Sequence, residues 1–541
     1  MSSSLLPSLA DYRQVPRTWR GDLTAGLTVG IVALPLALAF GVSSGAGAAS
    51  GLVTAIIAGV VAAVFGGSNV QVSGPTGAMV VVLGPIIAAH GLPALATVCA
   101  LAGGIVLLCG VLRLGRTIAY IPWPVIEGFT LGIAVIIFLQ QVPLALGSEG
   151  ARSTNAVIAA GEAWGAMAWP VVGWSLLLVL IVAVVMVIGN RVAPRIPASL
   201  VGIALATALA VGLDLPVARI GALPSGLPSP SLPSFDPSLV TQLLMPAVAV
   251  AALAAIESLL SARVASTLAD TGAYDPDREL VGQGLASIAA GFFGGMPATG
   301  AIARTAVGVR AGARSRLAAI THAVLLLLVV LVGAAVVSRI PLAALAGVLM
   351  VTATRMVSRR MVTMILRASR SDALLFCLTA VITVSVDLIY AVVAGIVVAG
   401  VLALRQVAHA SGVHREEIPG VSEPGDERIA LFRVEGALIF AAADRMIDRI
   451  SRLENVEVVV LRMSQVQLLD ATGARVVAEM IESLERRGVV VLLKGIRADQ
   501  RGLAERVGVL ASLRHANHQF SDLAGAIEHA RRHVARGGPR A

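Results

Sequence analysis

Two short stretches of this sequence could assemble a charge-binding site. Pro75-Thr76-Gly77-Ala78 follows Phe65-Gly66-Gly67 and opens an apolar run. Pro297-Ala298-Thr299-Gly300-Ala301 follows Phe293-Gly294-Gly295 and opens another. Proline and glycine interrupt a helix and free backbone groups. A helix that restarts after such a break presents unpaired N–H groups and about half a positive charge. Two such starts aimed at one point form an anion cradle, to which the Thr76 and Thr299 hydroxyls add donors. The competing reading is that these glycines only let neighbouring helices approach closely.

Two ionisable residues sit near this pattern. Glu257 lies inside the apolar run Ala254-Ala255-Ile256-Glu257-Ser258-Leu259-Leu260. A charged side chain at mid-membrane costs about 3 kcal/mol on insertion scales, so Glu257 should face a cavity or hold a partner. It is either an exchanger of protons or a structural carboxylate held by Ser258 or Ser261. Arg304 follows the second break and either supplies fixed positive charge to an anion or snorkels to the interface. Arg310, Arg314 and Arg316 read as loop charges, and His90 and His322 as packing or interface residues. Cys99, Cys109 and Cys377 lie in apolar runs and read as buried thiols rather than a disulfide or metal set. The spans contain no nucleophile–base pair and no metal cluster, and no cofactor is expected.

The elements that must position these residues are membrane spans. The chain has 541 residues, of which 57% are hydrophobic and 13% charged, a composition that excludes an ordinary soluble protein. Apolar windows long enough to cross a bilayer fill the chain from about 22 to about 404. We count about fourteen, with the two breaks opening the third (74–90) and the tenth (297–309), and Glu257 in the eighth (243–262). With the N-terminus inside, the inner loops hold Arg113, Arg116, Arg191, Arg195, Arg263, Arg278, Arg310, Arg314 and Arg316. The last inner loop adds Arg355, Arg359, Arg360, Arg367 and Arg370, while the outer loops hold only Arg152, Arg219 and Arg339. This places both termini in the cytoplasm and explains the net charge of +9 without nucleic acid. Residues 1–22 read as a cytoplasmic arm with no cleavable signal. A Pro- and Ser-rich loop near 213–237 divides the spans into halves, about 23–213 and 243–404. The third span runs one way and the tenth the other, so the halves form an inverted repeat, the best sequence pointer to a transporter's central site.

The stretches IESLLSARVA, ELVGQGLASIAAGFFGGMPATGAIARTAVGVRAGARS, FGGSNVQVSGPTGA and LPLALAF resemble the SulP anion permease family over nearly the whole chain. Within it, the ELVGQGL and AIAR segments look closest to the bacterial C4-dicarboxylic acid transporter branch. The resemblance implies a seven-plus-seven inverted repeat with core and gate domains. It places the substrate between Thr76, Gly77 and Ala78 of span three and Thr299, Gly300, Ala301, Ile302, Ala303 and Arg304 of span ten. It makes Glu257 the coupling acid. Sodium–bicarbonate symporters of the family tend to carry Asp at the Glu257 position and to lack the arginine, which favours proton coupling. A homodimer is also implied.

Past a linker at 405–428, residues 429–541 alternate strands and amphipathic helices. Strands are expected at 429–440, 456–463 and 489–493, and helices at 474–487, 498–507 and 522–535. The pattern resembles a STAS domain with a basic tail. In anti-sigma antagonist relatives the residue after the signature Asp is a phosphorylated serine. Here Asp470 is followed by Ala471, which cannot accept phosphate, and Thr472 is the remaining candidate.

Overall fold

The computed structural model describes residues 5–118, 122–148, 153, 155–167, 169–193, 197–233, 235–268, 272, 274–386, 388–410, 412–438 and 455–536. Arg152, Arg195, the end of the expected 429–440 strand and the basic tail past 536 lie outside the described residues. The chain forms two compact units, Met1–Ile396 and Val397–Ala541.

Each of the fourteen expected spans has a helix. The first half holds α1 (Val15–Ser43), α2 (Ala48–Phe65), α3 (Gly77–His90), α4 (Ala94–Val111), α5 (Trp123–Gln140), α6 (Val171–Val192) and α7 (Ala198–Gly212). The second holds α8 (Pro237–Leu268), α9 (Pro276–Phe292), α10 (Ile302–Arg310), α11 (Leu317–Val337), α12 (Leu342–Met356), α13 (Arg370–Ser385) and α14 (Leu388–Ala410). Lengths differ from the expectation. α1 begins within the stretch read as an arm, and Asp22 on it is fully buried, accepting the Arg314 and Ser315 N–H groups at 2.7 and 3.0 Å. α3 and α10 have only 14 and 9 residues. At 1.5 Å per residue they reach roughly 21 and 14 Å, short of the ~30 Å hydrocarbon layer.

The helices sort into two bundles. α1, α2, α4, α8, α9 and α11 pack on one another, and α5, α6, α7, α12 and α13 form a second group. Each bundle takes equivalent helices from both halves. Small residues set the distances in the first. A Cβ on Gly103 of α4 would lie 2.7 Å from the Gly284 carbonyl oxygen of α9, and one on Gly284 would lie 2.6 Å from the Gly103 carbonyl. Ala58, Ala62, Ala286, Ala290 and Ala298 continue this close packing.

The thiols differ from one another. Cys99 is buried, but Cys109 is half-buried and Cys377 is exposed on α13, which corrects the uniform reading as buried thiols. Cys377 lies on an outward face of its helix, where lipid rather than protein surrounds an apolar side chain.

The C-terminal unit carries a five-stranded sheet in the order β3 (Gly412–Glu416), β4 (Ile429–Leu438), β5 (Val458–Leu469), β6 (Val490–Lys494) and β7 (Gln519–Phe520). β3 and β4 are antiparallel and the other pairs parallel. Alternate residues of the strands face opposite sides. Ala430, Phe432, Val459 and Leu461 meet α15 (Ala471–Arg486) and α16 (Ala498–Val507). Ile429, Leu431, Val458 and Val460 meet α17 (Leu523–Arg536). The stretch read as a linker is therefore partly structured: α14 runs into it and β3 forms from it. Asp470 caps α15 by accepting the Gly473 N–H at 2.6 Å.

Candidate functional site

Each helix break contains a two-residue strand, and the two strands pair. β1 (Ser73–Gly74) runs antiparallel to β2 (Thr299–Gly300), with Ser73 opposite Gly300 and Gly74 opposite Thr299. A local two-fold axis of such a pair passes between facing residues, so it exchanges Gly74 with Thr299 and, further along, Thr76 with Ala301. This corrects the repeat register. The sequence aligned Thr76-Gly77 with Thr299-Gly300, but in space Thr76-Gly77 is the counterpart of Ala301-Ile302, the cap and first residue of α10.

From this ladder α3 and α10 start in opposite directions. Thr76 is the N-cap of α3 and Ala301 that of α10, and neither side chain bonds its helix's first N–H groups. The first backbone bonds close from Val80 N–H to Thr76 and from Thr305 N–H to Ala301. Gly77, Ala78 and Met79 of one helix, and Ile302, Ala303 and Arg304 of the other, thus carry the amides of an open first turn. Ile302 and Ala303 are exposed, whereas Gly77 and Ala78 are buried.

Glu257 of α8 joins the two starts. Its Oε2 accepts the Thr76 and Thr299 hydroxyls, each at 2.8 Å, and those hydroxyls lie 3.2 Å apart. The threonines thus hold the carboxylate in this structure. Ser258 holds the ladder instead of Glu257, accepting the Gly300 N–H at 3.0 Å. Ser261 lies 3.3 Å from Thr305. Arg304 is 2% exposed and does not snorkel. Its Nη2 donates to the Pro75 carbonyl at 2.6 Å, reaching from the first turn of α10 to the residue before the α3 cap. Its Nη1 is buried with no partner among the described residues. The structure therefore gathers all ten expected residues at one place.

Other residues position the site and carried no role in the sequence reading. Phe40 of α1 and Ile137 of α5 lie over the start of α3: a Cβ on Gly77 would come within 3.5 Å of the Phe40 ring and 2.3 Å of Ile137. Gln71 presses on Gly300, where a Cβ would meet its Nε2 at 1.7 Å. The break after α2 is held by charges that read as inner-loop residues. Arg316, 2% exposed, donates to the Ala63 carbonyl at 2.8 Å, and Arg278 donates to the Phe65 carbonyl at 3.3 Å. These are carbonyls of a final helical turn, which attract cations. Glu279 accepts the Gly67 and Ser68 N–H groups at 2.8 and 3.0 Å. Gln283 then links Glu279 to Ser73 of β1, donating at 2.9 and 2.6 Å. Arg278 also pairs with Asp11 at 2.7 Å. Sequence spacing gave no signal for these partners: Arg278 lies 213 residues from Phe65, Glu279 212 from Gly67 and Arg316 253 from Ala63.

A cavity of about 440 Å³ lies between the two bundles and reaches the site at Ala303. Thr28 and Leu36 of α1 face Ser199 of α7 and Thr352 and Arg355 of α12 across it. Arg355 donates to the Met186 carbonyl of α6 at 2.7 Å.

Paired broken helices between two helical bundles, beside a cavity, define a multi-pass membrane transport protein rather than an enzyme. Residues 19–379 match the Sulfate permease family and residues 421–526 match the STAS domain. The chain belongs to the sulfate permease family and carries a C-terminal STAS domain. It is 34% identical to the putative sulfate transporter YvdB of Bacillus subtilis, over 83% of this chain and 86% of that one. It is 31% identical to the bicarbonate transporter BicA of Synechocystis, over 84% of each. The transmembrane domain of a cyanobacterial BicA superposes with a TM-score of 0.66 at 33% identity, covering 72% of this chain and all (100%) of that one. SLC26A9 shares the fold over 98% of this chain and 94% of its own, with a TM-score of 0.83 at 18% identity.

Proposed function

We propose that this protein is a secondary active transporter of small anions that works by alternating access. The carrying observation is that Glu257 joins the starts of α3 and α10 through one threonine of each half. The anion binds the open first turns at Gly77, Ala78, Ile302 and Ala303, with Arg304 as the fixed countercharge. Backbone dipoles read charge more than shape, which suits a dicarboxylate such as succinate or fumarate, or sulfate.

Glu257 is the coupling group. Ionised, it occupies both threonine hydroxyls and opposes an arriving anion. Protonated, it removes that repulsion and releases a hydroxyl to the substrate, so proton and anion travel together. The α1–α4 and α8–α11 bundle carries the site past the bundle of α5–α7, α12 and α13. The cavity at Ala303 is the path open on the face where α7 starts and α12 ends, which the arginine distribution places in the cytoplasm together with both termini. The protein acts as a homodimer in the cell membrane.

The second reading is a sodium-coupled bicarbonate transporter, supported by the 31% identity to a bicarbonate transporter. The test is uptake of labelled succinate into proteoliposomes under an inward proton gradient, with unlabelled sulfate or bicarbonate as competitors. Gradient-driven uptake that resists both supports the dicarboxylate reading. Uptake displaced by sulfate selects sulfate. Uptake only of bicarbonate under a sodium gradient overturns proton coupling, and flux that never exceeds equilibrium identifies an exchanger or channel. Glu257→Gln should abolish gradient-driven accumulation while keeping substrate counterflow, and accumulation that survives this change removes Glu257 from the coupling step.

A further inference from the structure

Between α12 and α13 the chain makes an extra helix, Arg359–Ala368, of 10 residues. Val357 and Ser358 before it are extended (ψ 106° and 111°), as is Ser369 after it (ψ 159°), so the chain turns at both ends. Ser358 caps its start by accepting the Met361 N–H, and Ser369 caps α13 by accepting the Asp372 N–H. At 1.5 Å per residue the helix is about 15 Å long and cannot cross a bilayer.

Its two sides differ in chemistry. Arg359, Arg360, Thr363 and Arg367 fall within one 100° arc at 100° per residue, and all are exposed. Met361, Val362 and Ile365 fall on the other side, where Ile365 is fully buried. Met364 and Leu366 flank that side and are 49% and 46% exposed. Arg370 follows at the start of α13. Among the described residues none of these four arginine side chains has an acidic partner, and Asp372 is engaged by Ser369. A short helix held between two spans, with an apolar side and an unneutralised arginine side, fits the headgroup layer of a membrane.

We propose that helix 359–368 lies in the bilayer interface and binds the phosphate headgroups of anionic lipids through Arg359, Arg360, Arg367 and Arg370. Their fixed positive charge attracts the net negative charge of those headgroups, and Met364 and Leu366 enter the acyl boundary beside them. The helix joins α12, which lines the cavity, to α13, which packs on α5. Bound anionic lipid therefore anchors the bundle of α5–α7, α12 and α13 to the membrane surface. This surface is independent of which anion the protein carries.

The test titrates the detergent-solubilised full chain with phosphatidylglycerol or phosphatidylcholine and follows the unfolding temperature by tryptophan fluorescence. Phosphatidylglycerol should raise it more than phosphatidylcholine, saturably, and high salt should remove the difference. The variant R359Q/R360Q/R367Q should lose only that difference, and R359K/R360K/R367K should keep most of it. Equal responses to the two lipids in the native chain, or a glutamine variant that keeps the full difference, overturns the proposal. The lysine variant separates charge from folding, because both variants remove the same guanidinium groups.

Discussion

Glu257 belongs to the second half of the chain, yet it takes one hydroxyl from each half. Glu257 lies 181 residues from Thr76, so no spacing rule connects them. Arg304 is similar: its position after the break suggested a cation near an anion, and only the fold shows it spanning from α10 to Pro75. Arg304→Gln should raise the KM of uptake on the order of tenfold, the equivalent of about 1.4 kcal/mol of binding, with a smaller change in maximal rate. Concentration dependence of initial uptake rates checks this, and an unchanged KM would remove Arg304 from the binding role. In the C-terminal unit, His518 sits 5.2 Å from His515 and 5.4 Å from His529, ring to ring. Burial, then His529, His515, His533 and Arg514, push it down from 6.5 to about 4. A depressed histidine stays neutral in the fold, so its stabilisation is complete above 6.5 and is lost as pH falls toward 4. Unfolding of this unit should therefore have a lower midpoint at about pH 5 than at about pH 7, and His518→Asn should narrow that gap.

At the scale of elements, apolar windows located the spans because a hydrocarbon layer demands them, and the FGG and Pro signals located the breaks. What they could not supply was register. Two residues separate the apparent repeat from the spatial one, since Thr-Gly recurs in both halves while the ladder and the helix caps pair Thr76 with Ala301. Helix crossings were equally hidden, because glycine is common here and only close approach distinguishes a contact from a spacer. Gly103 and Gly284 show that approach from both sides. Gly284→Val should push α4 and α9 apart and cost about 1–3 kcal/mol, read as a lower unfolding temperature. A glycine facing open space, Gly104 on the same α4, should accept valine with little change.

For the whole molecule, the two bundles and the cavity between them determine access. Ser199 and Thr352 line that cavity from α7 and α12. In a background with Cys99, Cys109 and Cys377 replaced, Ser199→Cys should react with a membrane-impermeant thiol reagent from the side bearing the N-terminus only. Bound substrate or substrate turnover should change the rate of reaction. Equal labelling from both sides, or none, contradicts a path open on that face.

Composition and patterning by themselves determined that this chain spans a membrane many times, that two inverted halves break at matching places, and that an α/β unit follows. These properties come from the bilayer and from backbone hydrogen bonding, which act on any sequence locally. The tertiary structure alone decided the partners. Arg278 and Arg316 looked like loop charges because charge density near span ends usually marks an interface, and Glu279 beside them carried no reading. They are buried because the interrupted α2 leaves carbonyl and N–H groups that no water reaches, and only side chains from the other half of the chain can meet them.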